Sequence, residues 1–165
     1  MYVTKIISPV GNLLLASDGQ ALTGLWLEGQ KYFAATLDKD MVEQADLPIF
    51  TETAAWLGAY FKKVPLPAPP PLAPKGSAFR KAVWELLLEI PYGQTTTYGE
   101  LAHRLLEIGI PAAPQAVGGA VGHNPISILI PCHRVLGADG SLTGYAGGVE
   151  KKRFLLELEG ALPFK

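Results

Sequence analysis

Pro125-Ile-Ser-Ile-Leu-Ile-Pro-Cys-His-Arg-Val-Leu-Gly137 sets the only cysteine of the chain behind a run of aliphatics, between a proline and a histidine-arginine pair. The run Ile126 to Ile130 has the β-branched content of a strand. Pro131 has no amide proton to continue a ladder, so the strand is expected to end there. Cys132 would then lie just past a strand end, where exposed functional groups often sit. A free cysteine more often behaves as a small buried hydrophobe. Against that stand the break at Pro131, His133 as an acceptor for the thiol proton, and Arg134 as a fixed positive charge favouring thiolate. In a straight strand Cys132 and His133 would point to opposite faces, so their cooperation requires a turn or helical start directly after Pro131.

A working Cys-His pair also wants a third group that fixes the imidazole tautomer. Glu159, Asn124 and Asp139 are candidates by position, and spacing does not choose among them. The other histidines, His103 and His123, have no cysteine or carboxylate partners at a familiar zinc spacing, so no metal is expected.

Working outward, 165 residues hold one domain or two small ones, and 48% hydrophobic with 18% charged residues is an ordinary globular composition. The apolar runs are too short to cross a bilayer and the N-terminus lacks the apolar core of a signal peptide. With its single free thiol, the chain is expected in the cytoplasm, away from membranes. A formal charge of −1 gives no global pull toward nucleic acid. Neither half is a basic arm: residues 1–75 carry six lysines and seven acids, and residues 76–165 carry eight of each sign. Any DNA binding must be local.

The sharpest compositional break is Pro65-Leu-Pro-Ala-Pro-Pro-Pro-Leu-Ala-Pro74, with six prolines in ten residues. Neither helix nor central strand accommodates it. It is expected as an extended polyproline strap of up to roughly 30 Å. The expected organisation is an α/β two-domain chain: a supporting domain at 1–64, a proline-rich linker at 65–76 and a second domain at 77–165. Before the strap, Tyr2 to Ile7, Asn12 to Ser17 and Ala21 to Leu27 read as strands of a small antiparallel sheet, followed by a helix from Ile49 to Val64.

After the strap the chain is mostly helical. Phe79, Val83, Leu86, Leu87 and Ile90 share one helix face, ended by Pro91-Tyr-Gly93. Thr97 and Glu100 form a capping-box pattern for a short helix from Tyr98. Gly109 permits a sharp turn, and Pro111 suits the first turn of a following helix, Ala112 to about Val121. The pair is a candidate helix-turn-helix. Its second helix has almost no long side chains, and the adjacent Gly118 and Gly119 each cost about 1 kcal/mol relative to Ala. Either another helix packs closely there, or the face must approach a narrow surface such as the DNA minor groove. A last helix runs from Val149 to Glu159 with Phe154, Leu155 and Leu158 inward and Gly160 as its stop. Its dipole disfavours a carboxylate at Glu159, which is therefore either solvated or held by a positive or hydrogen-bonding partner.

Taken together, "IPCHRV" at 130–135, "GHNP" at 122–125, "AVGGAV" at 116–121, "TGYAGG" at 143–148 and "FRKAVWELLLEIPYGQTTTYGELA" at 79–102 resemble the O6-alkylguanine-DNA alkyltransferases. "SPVGNLLLA" at 8–16 is similar to the family's N-terminal sheet domain of ribonuclease-H-like form. The resemblance implies irreversible, single-turnover repair of duplex DNA containing O6-alkylguanine, by a monomer without cofactor. The helix-turn-helix enters the minor groove and flips the damaged base. Cys132 then accepts the alkyl group, and His133 removes its proton through a water.

The resemblance further implies that Glu159 orients His133 and that Asn124 holds the second helix against the active-site segment. Tyr98 hydrogen-bonds the base and helps protonate the departing guanine. The backbone carbonyls of Cys132 and Val135 recognise the exocyclic amine of the guanine. Tyr145, Gly147 and Gly148 wall the pocket, with Lys152 nearby. Ala112, Ala113, Gln115, Ala116, Gly118 and Gly119 face DNA. The chain departs from the family at Gln115, where an arginine normally fills the gap left by the flipped base. Weaker binding and less efficient flipping are expected, or a substitute residue nearby.

Two other readings are a lesion sensor of the same fold and an unrelated Cys-His hydrolase. The sensors carry another residue, usually tryptophan, in place of the cysteine. The hydrolase needs an oxyanion-binding loop and repeated turnover.

Overall fold

The computed structural model describes residues 1–37, 40–142 and 144–161. The chain divides into two compact units, one of Met1–Lys75 with Pro125–Ser127, the other of Gly76–Asn124 with Ile128–Lys165. The two-domain α/β architecture expected from the sequence is present.

In the first unit, β1 (Tyr2–Ser8), β2 (Gly11–Ser17) and β3 (Leu22–Leu27) form an antiparallel meander, with β4 (Val42–Glu43) parallel to β1 at the far edge. The β2–β3 turn is tied by Asp18, whose Oδ1 accepts from the amides of Gln20 and Ala21 at 2.9 Å. Every residue of β3 is buried. Its free side is closed by two short parallel bridges, which removes an unpaired edge. One is the proline-rich run: Leu22 N donates to Pro71 O and Ala73 N to Leu22 O, both at 2.8 Å. The other is Ile126, flanked by Leu25 N to Pro125 O at 2.8 Å and Ser127 N to Leu25 O at 2.9 Å.

Helix α1 (Pro48–Lys62) begins with proline at its first position, where the missing amide proton is not needed. Its buried face is Ile49, Phe50, Thr53, Trp56, Leu57 and Tyr60. Ala54 is exposed, although helical spacing from Phe50 and Leu57 sets it on the apolar face. Thr53 joins the face because its hydroxyl donates to Ile49 O at 2.7 Å and leaves nothing unsatisfied.

The second unit contains α2 (Ala78–Leu88), α3 (Tyr98–Glu107), α4 (Pro114–Gly122) and α5 (Val149–Leu158), with a two-residue parallel pairing of β5 (Thr96–Thr97) and β6 (Val135–Leu136). Thr97 caps α3 as the pattern indicated, accepting from Glu100 N at 3.1 Å. In the α3–α4 turn Gly109 takes φ +84°, as a sharp reversal needs. The proline in the first turn of α4 is Pro114, not Pro111, so the helix starts two residues later than expected. Behind α4, the Trp84 indole of α2 donates to Ala120 O at 2.8 Å. Val117, Ala120 and Val121 make the buried face of α4.

Two further expectations fail. The aliphatic run Ile126 to Ile130 is no strand: after the single bridge at Ile126 the chain turns, with Ile128 at φ +72°. All five side chains are buried, and a short apolar run buried on every side carries no periodicity to tell turn from strand. A β-branched residue at positive φ is strained by about 1–3 kcal/mol and persists only where its surroundings fix it. In α5, Phe154 is exposed, and the inward face is Lys152, Leu155 and Leu156. Hydrophobic phasing misses this face because Lys152 turns inward to a backbone acceptor.

Replacing Trp84 by Phe should destabilise the fold by about 1–3 kcal/mol, since Ala120 O loses its buried donor and a void opens beneath α4. Urea denaturation measures the loss.

Candidate active site

The site is assembled in the second unit by the segment that follows Asn124. Asn124 Nδ2 donates to Ile130 O at 2.8 Å and so closes the turn. Cys132 N then donates to Ile130 O at 2.8 Å and Arg134 N to Pro131 O at 3.0 Å, which winds Cys132–Arg134 into a single 3-10 turn. This meets the condition for cooperation of Cys132 and His133, because three residues per turn do not set neighbours on opposite faces. Cys132 is buried at 4% exposure rather than displayed at a strand end.

Behind His133 lies Glu159, the capping residue of α5. His133 Nε2 is 2.6 Å from Glu159 Oε2, and both side chains are fully buried. Of the three orienting candidates left open by the sequence, Glu159 is the one that meets the imidazole. Arg134 donates from Nε to Oε1 at 2.8 Å and from Nη2 to Oε2 at 3.1 Å, and Gly93 N reaches Oε1 at 3.3 Å. Gly93 sits at φ +81°, and a Cβ there would stand 3.2 Å from Glu159 O. The turn that ends α2 therefore needs glycine both for its own geometry and to approach the end of α5.

These contacts fix the protonation pattern. Burial alone would raise the pKa of Glu159, but the hydrogen bonds and charges of His133 and Arg134 outweigh it and bring it down to about 2. Burial holds the pKa of His133 below its ordinary value against the opposing pull of Glu159, and the positive charges of Arg134 and Lys152 act the same way as burial. A neutral imidazole facing a carboxylate through Nε2 must donate there, which leaves the lone pair on Nδ1. Nδ1 is buried and has no hydrogen-bond partner among the described residues.

Burial pushes the Cys132 thiol up, offset in part by a hydrogen bond with Asn124 and the charge of Lys152. The cation that favours thiolate is thus Lys152, not Arg134, whose charge is spent on Glu159. Lys152 is fully buried, donates from Nζ to Val135 O, and is brought by burial to about 8. Tyr98 has its pKa raised by burial and then by Cys132, so it remains a phenol. The Tyr145 ring stands edge-on to His133, with centroids 6.5 Å apart.

A cavity of about 420 Å³ opens beside these groups, lined by Tyr98, Pro114, Gln115, Gly118 and Gly144. It joins the starts of α3 and α4 to the loop before α5. Gly144, which the sequence reading did not single out, sits at φ +87°, and a Cβ there would fall 2.5 Å from the Tyr98 hydroxyl. On α4, Gln115, Ala116 and Gly119 are exposed and Gly118 is half-buried, with Ala113 exposed and Ala112 half-buried just before the helix. A Cβ on Gly119 would meet nothing within 4 Å, and one on Gly118 would meet Tyr98 only at 3.9 Å. Internal packing does not require glycine at either position. Gly147 is half-buried, and Gly148 caps α5 at φ +99°, donating its amide to Tyr145 O at 3.0 Å. Among the described residues no three of His, Cys, Asp and Glu cluster as metal ligands.

Residues 78–161 match the DNA binding domain of 6-O-methylguanine DNA methyltransferase, and residues 1–74 match its ribonuclease-like domain. The methylated-DNA–protein-cysteine methyltransferase of Haemophilus influenzae is 48% identical over 160 residues, covering 96% of this chain and 86% of its own. That of Methanosarcina acetivorans is 45% identical over 166 residues, covering 98% and 99%. The crystal structure of Mycobacterium tuberculosis OGT in complex with DNA superposes with a TM-score of 0.84 at 43% identity, over 98% of this chain and 94% of that one. Matched by the two domain models over residues 1–74 and 78–161, and carrying its lone cysteine beside a histidine-glutamate pair, the chain belongs to the 6-O-methylguanine DNA methyltransferase family.

Proposed function

We propose that this protein repairs duplex DNA by moving the alkyl group of an O6-alkylguanine onto Cys132, once per molecule. The observation that carries the reading is the open Nδ1 of a neutral His133 whose other nitrogen is held by Glu159, next to the only thiol of the chain. The thiol proton passes to Nδ1, directly or through one water. The sulfur then attacks the alkyl carbon, the S–C bond forms as the C–O6 bond breaks, and the electron pair goes to the guanine. Guanine leaves far better as a protonated base than as an anion, and Tyr98, kept a phenol at the cavity wall, is the donor. The thioether has no leaving group that water displaces, so the protein is consumed.

To reach Cys132 the base must leave the stack, at a few kcal/mol. The bare outer face of α4, with Gly118 and Gly119 open, supports close approach to a minor groove. Gln115 stands on that face at the cavity rim, where the family has arginine. The Val135 carbonyl, one lone pair of which holds Lys152, keeps a second for the exocyclic amine of the guanine. Tyr145, Gly147 and Gly148 form the wall on the α5 side. A reduced nucleophilic thiol suits the cytoplasm, and no described helix is long and apolar enough to cross a membrane.

Incubation with an oligonucleotide carrying one O6-methylguanine should add the mass of one methylene to each protein molecule and no more, and Cys132→Ser should show no gain; repeated turnover would sink the reading. With DNA in excess, His133→Asn should slow transfer by about 10²–10⁴-fold while leaving DNA affinity near that of the wild type, as quench-flow and fluorescence anisotropy report. Gln115→Arg should tighten binding to lesion DNA severalfold, the worth of one added stacked or cation–π contact of about 0.5–1 kcal/mol. The same anisotropy titration decides it.

A further inference from the structure

Arg134 has no part in the transfer as described so far, yet its side chain is almost entirely buried and every arm of its guanidinium is engaged. Nε and Nη2 take the two oxygens of Glu159 at 2.8 and 3.1 Å, Nη1 donates to Ile90 O at 2.7 Å, and the plane lies 5.8 Å from the centroid of the Tyr92 ring. We propose that Arg134 is a positioning residue for alkyl transfer: it holds the Glu159 carboxylate at two points, so that one oxygen meets His133 Nε2 and Nδ1 stays open as the base.

The argument is geometric first. Without Arg134, the carboxylate would keep only His133 and the long 3.3 Å contact from Gly93 N, a weak hold on its last torsion. The planar fork of Arg134 fixes that torsion, and the bond to Ile90 O anchors the fork to the end of α2. Charge acts in the same direction. Around His133 stand Glu159 and Lys152 from α5, Cys132 and Arg134 from its own turn, and Tyr145 edge-on; Tyr92 faces Arg134 and Glu159, and Tyr98 faces Cys132. With Arg134 present, the negative charge of Glu159 is already balanced. A proton added to His133 would then be an uncompensated positive charge in a buried site that also holds Lys152. Without Arg134, the carboxylate would stabilise imidazolium instead, and Nδ1 would carry a proton when the thiol needs a base.

The proposal rests on the repair reading, so the test separates the two. Single-turnover transfer from O6-methylguanine DNA is measured across pH for the wild type, Arg134→Lys and Arg134→Met. The imidazole nitrogens of His133 are followed by 15N NMR in the DNA-free wild type and in Arg134→Lys. The wild-type ring should stay neutral, with its proton on Nε2, through the pH range in which a free imidazole takes up its proton. In Arg134→Met the acidic limb of the rate profile should move up by about one pH unit or more, with transfer recovering above it, and Arg134→Lys should fall between.

A purely structural role would lower the rate at every pH without moving the limb. That result overturns the proposal, as does an ordinary titration of His133 in the wild type. The NMR measurement does not depend on the methionine variant folding. Absence of transfer by the wild type at any pH defeats the repair reading, and the NMR titration still judges Arg134.

Discussion

A single buried carboxylate organises the second unit. Glu159 lies at the negative end of a helix, where the dipole opposes it, yet it is ionised because Arg134, His133 and the Gly93 amide all donate to it. These donors come from the turn after α2 and from the 3-10 turn at Cys132, so the carboxylate ties together three stretches far apart in the sequence. Removing one member of such a buried network leaves an unpaired charge, at about 3–5 kcal/mol. Stability and chemistry therefore rest on the same atoms: the contacts that hold α5 in place also set the tautomer of His133.

The nucleophile, one residue before that histidine in the 3-10 turn, rests as a thiol. Burial favours the neutral thiol of Cys132, and the opposing pulls of Asn124 and Lys152 offset it only in part. Oxidation follows thiolate character and exposure, and here both are low. For a protein that works once, a resting thiolate would risk losing the only equivalent it carries. Keeping the proton on sulfur and a base beside it confines thiolate to the moment of attack.

How much of this was legible varies with the signal each residue emits. The meander of the first unit, the Thr97 cap and the Gly160 stop could be read because alternation, capping chemistry and positive φ are local. Glu159 emitted a weaker signal, a carboxylate where the dipole does not want one, which left solvation or a partner open; the structure supplies the partners. Arg134 was misread. As the sequence neighbour of Cys132 it invited assignment to the thiol, whereas its side chain turns to Glu159, and Lys152, twenty positions on, supplies the charge. Phasing α5 by hydrophobicity failed for the same reason, since its inward face carries a lysine satisfied by a carbonyl. The run from Ile126 to Ile130 failed differently. Its residues favour strand, and their tertiary surroundings impose a turn with Ile128 left-handed.

The composition of α4 follows from the same division of labour. The helix is fixed from behind by Val117, Ala120 and Val121 and by the Trp84 indole on Ala120 O, so its outer residues are released from any packing duty. Gly118 and Gly119 still weaken it by about 1 kcal/mol each, and no neighbour within the protein demands them. A persistent local penalty without an internal cause points outward, to a surface the helix must approach more closely than a side chain allows. That also accounts for a DNA-repair protein with a net charge of −1. Long-range attraction scales with charge, whereas close fit and the capture of an extruded base act only on contact.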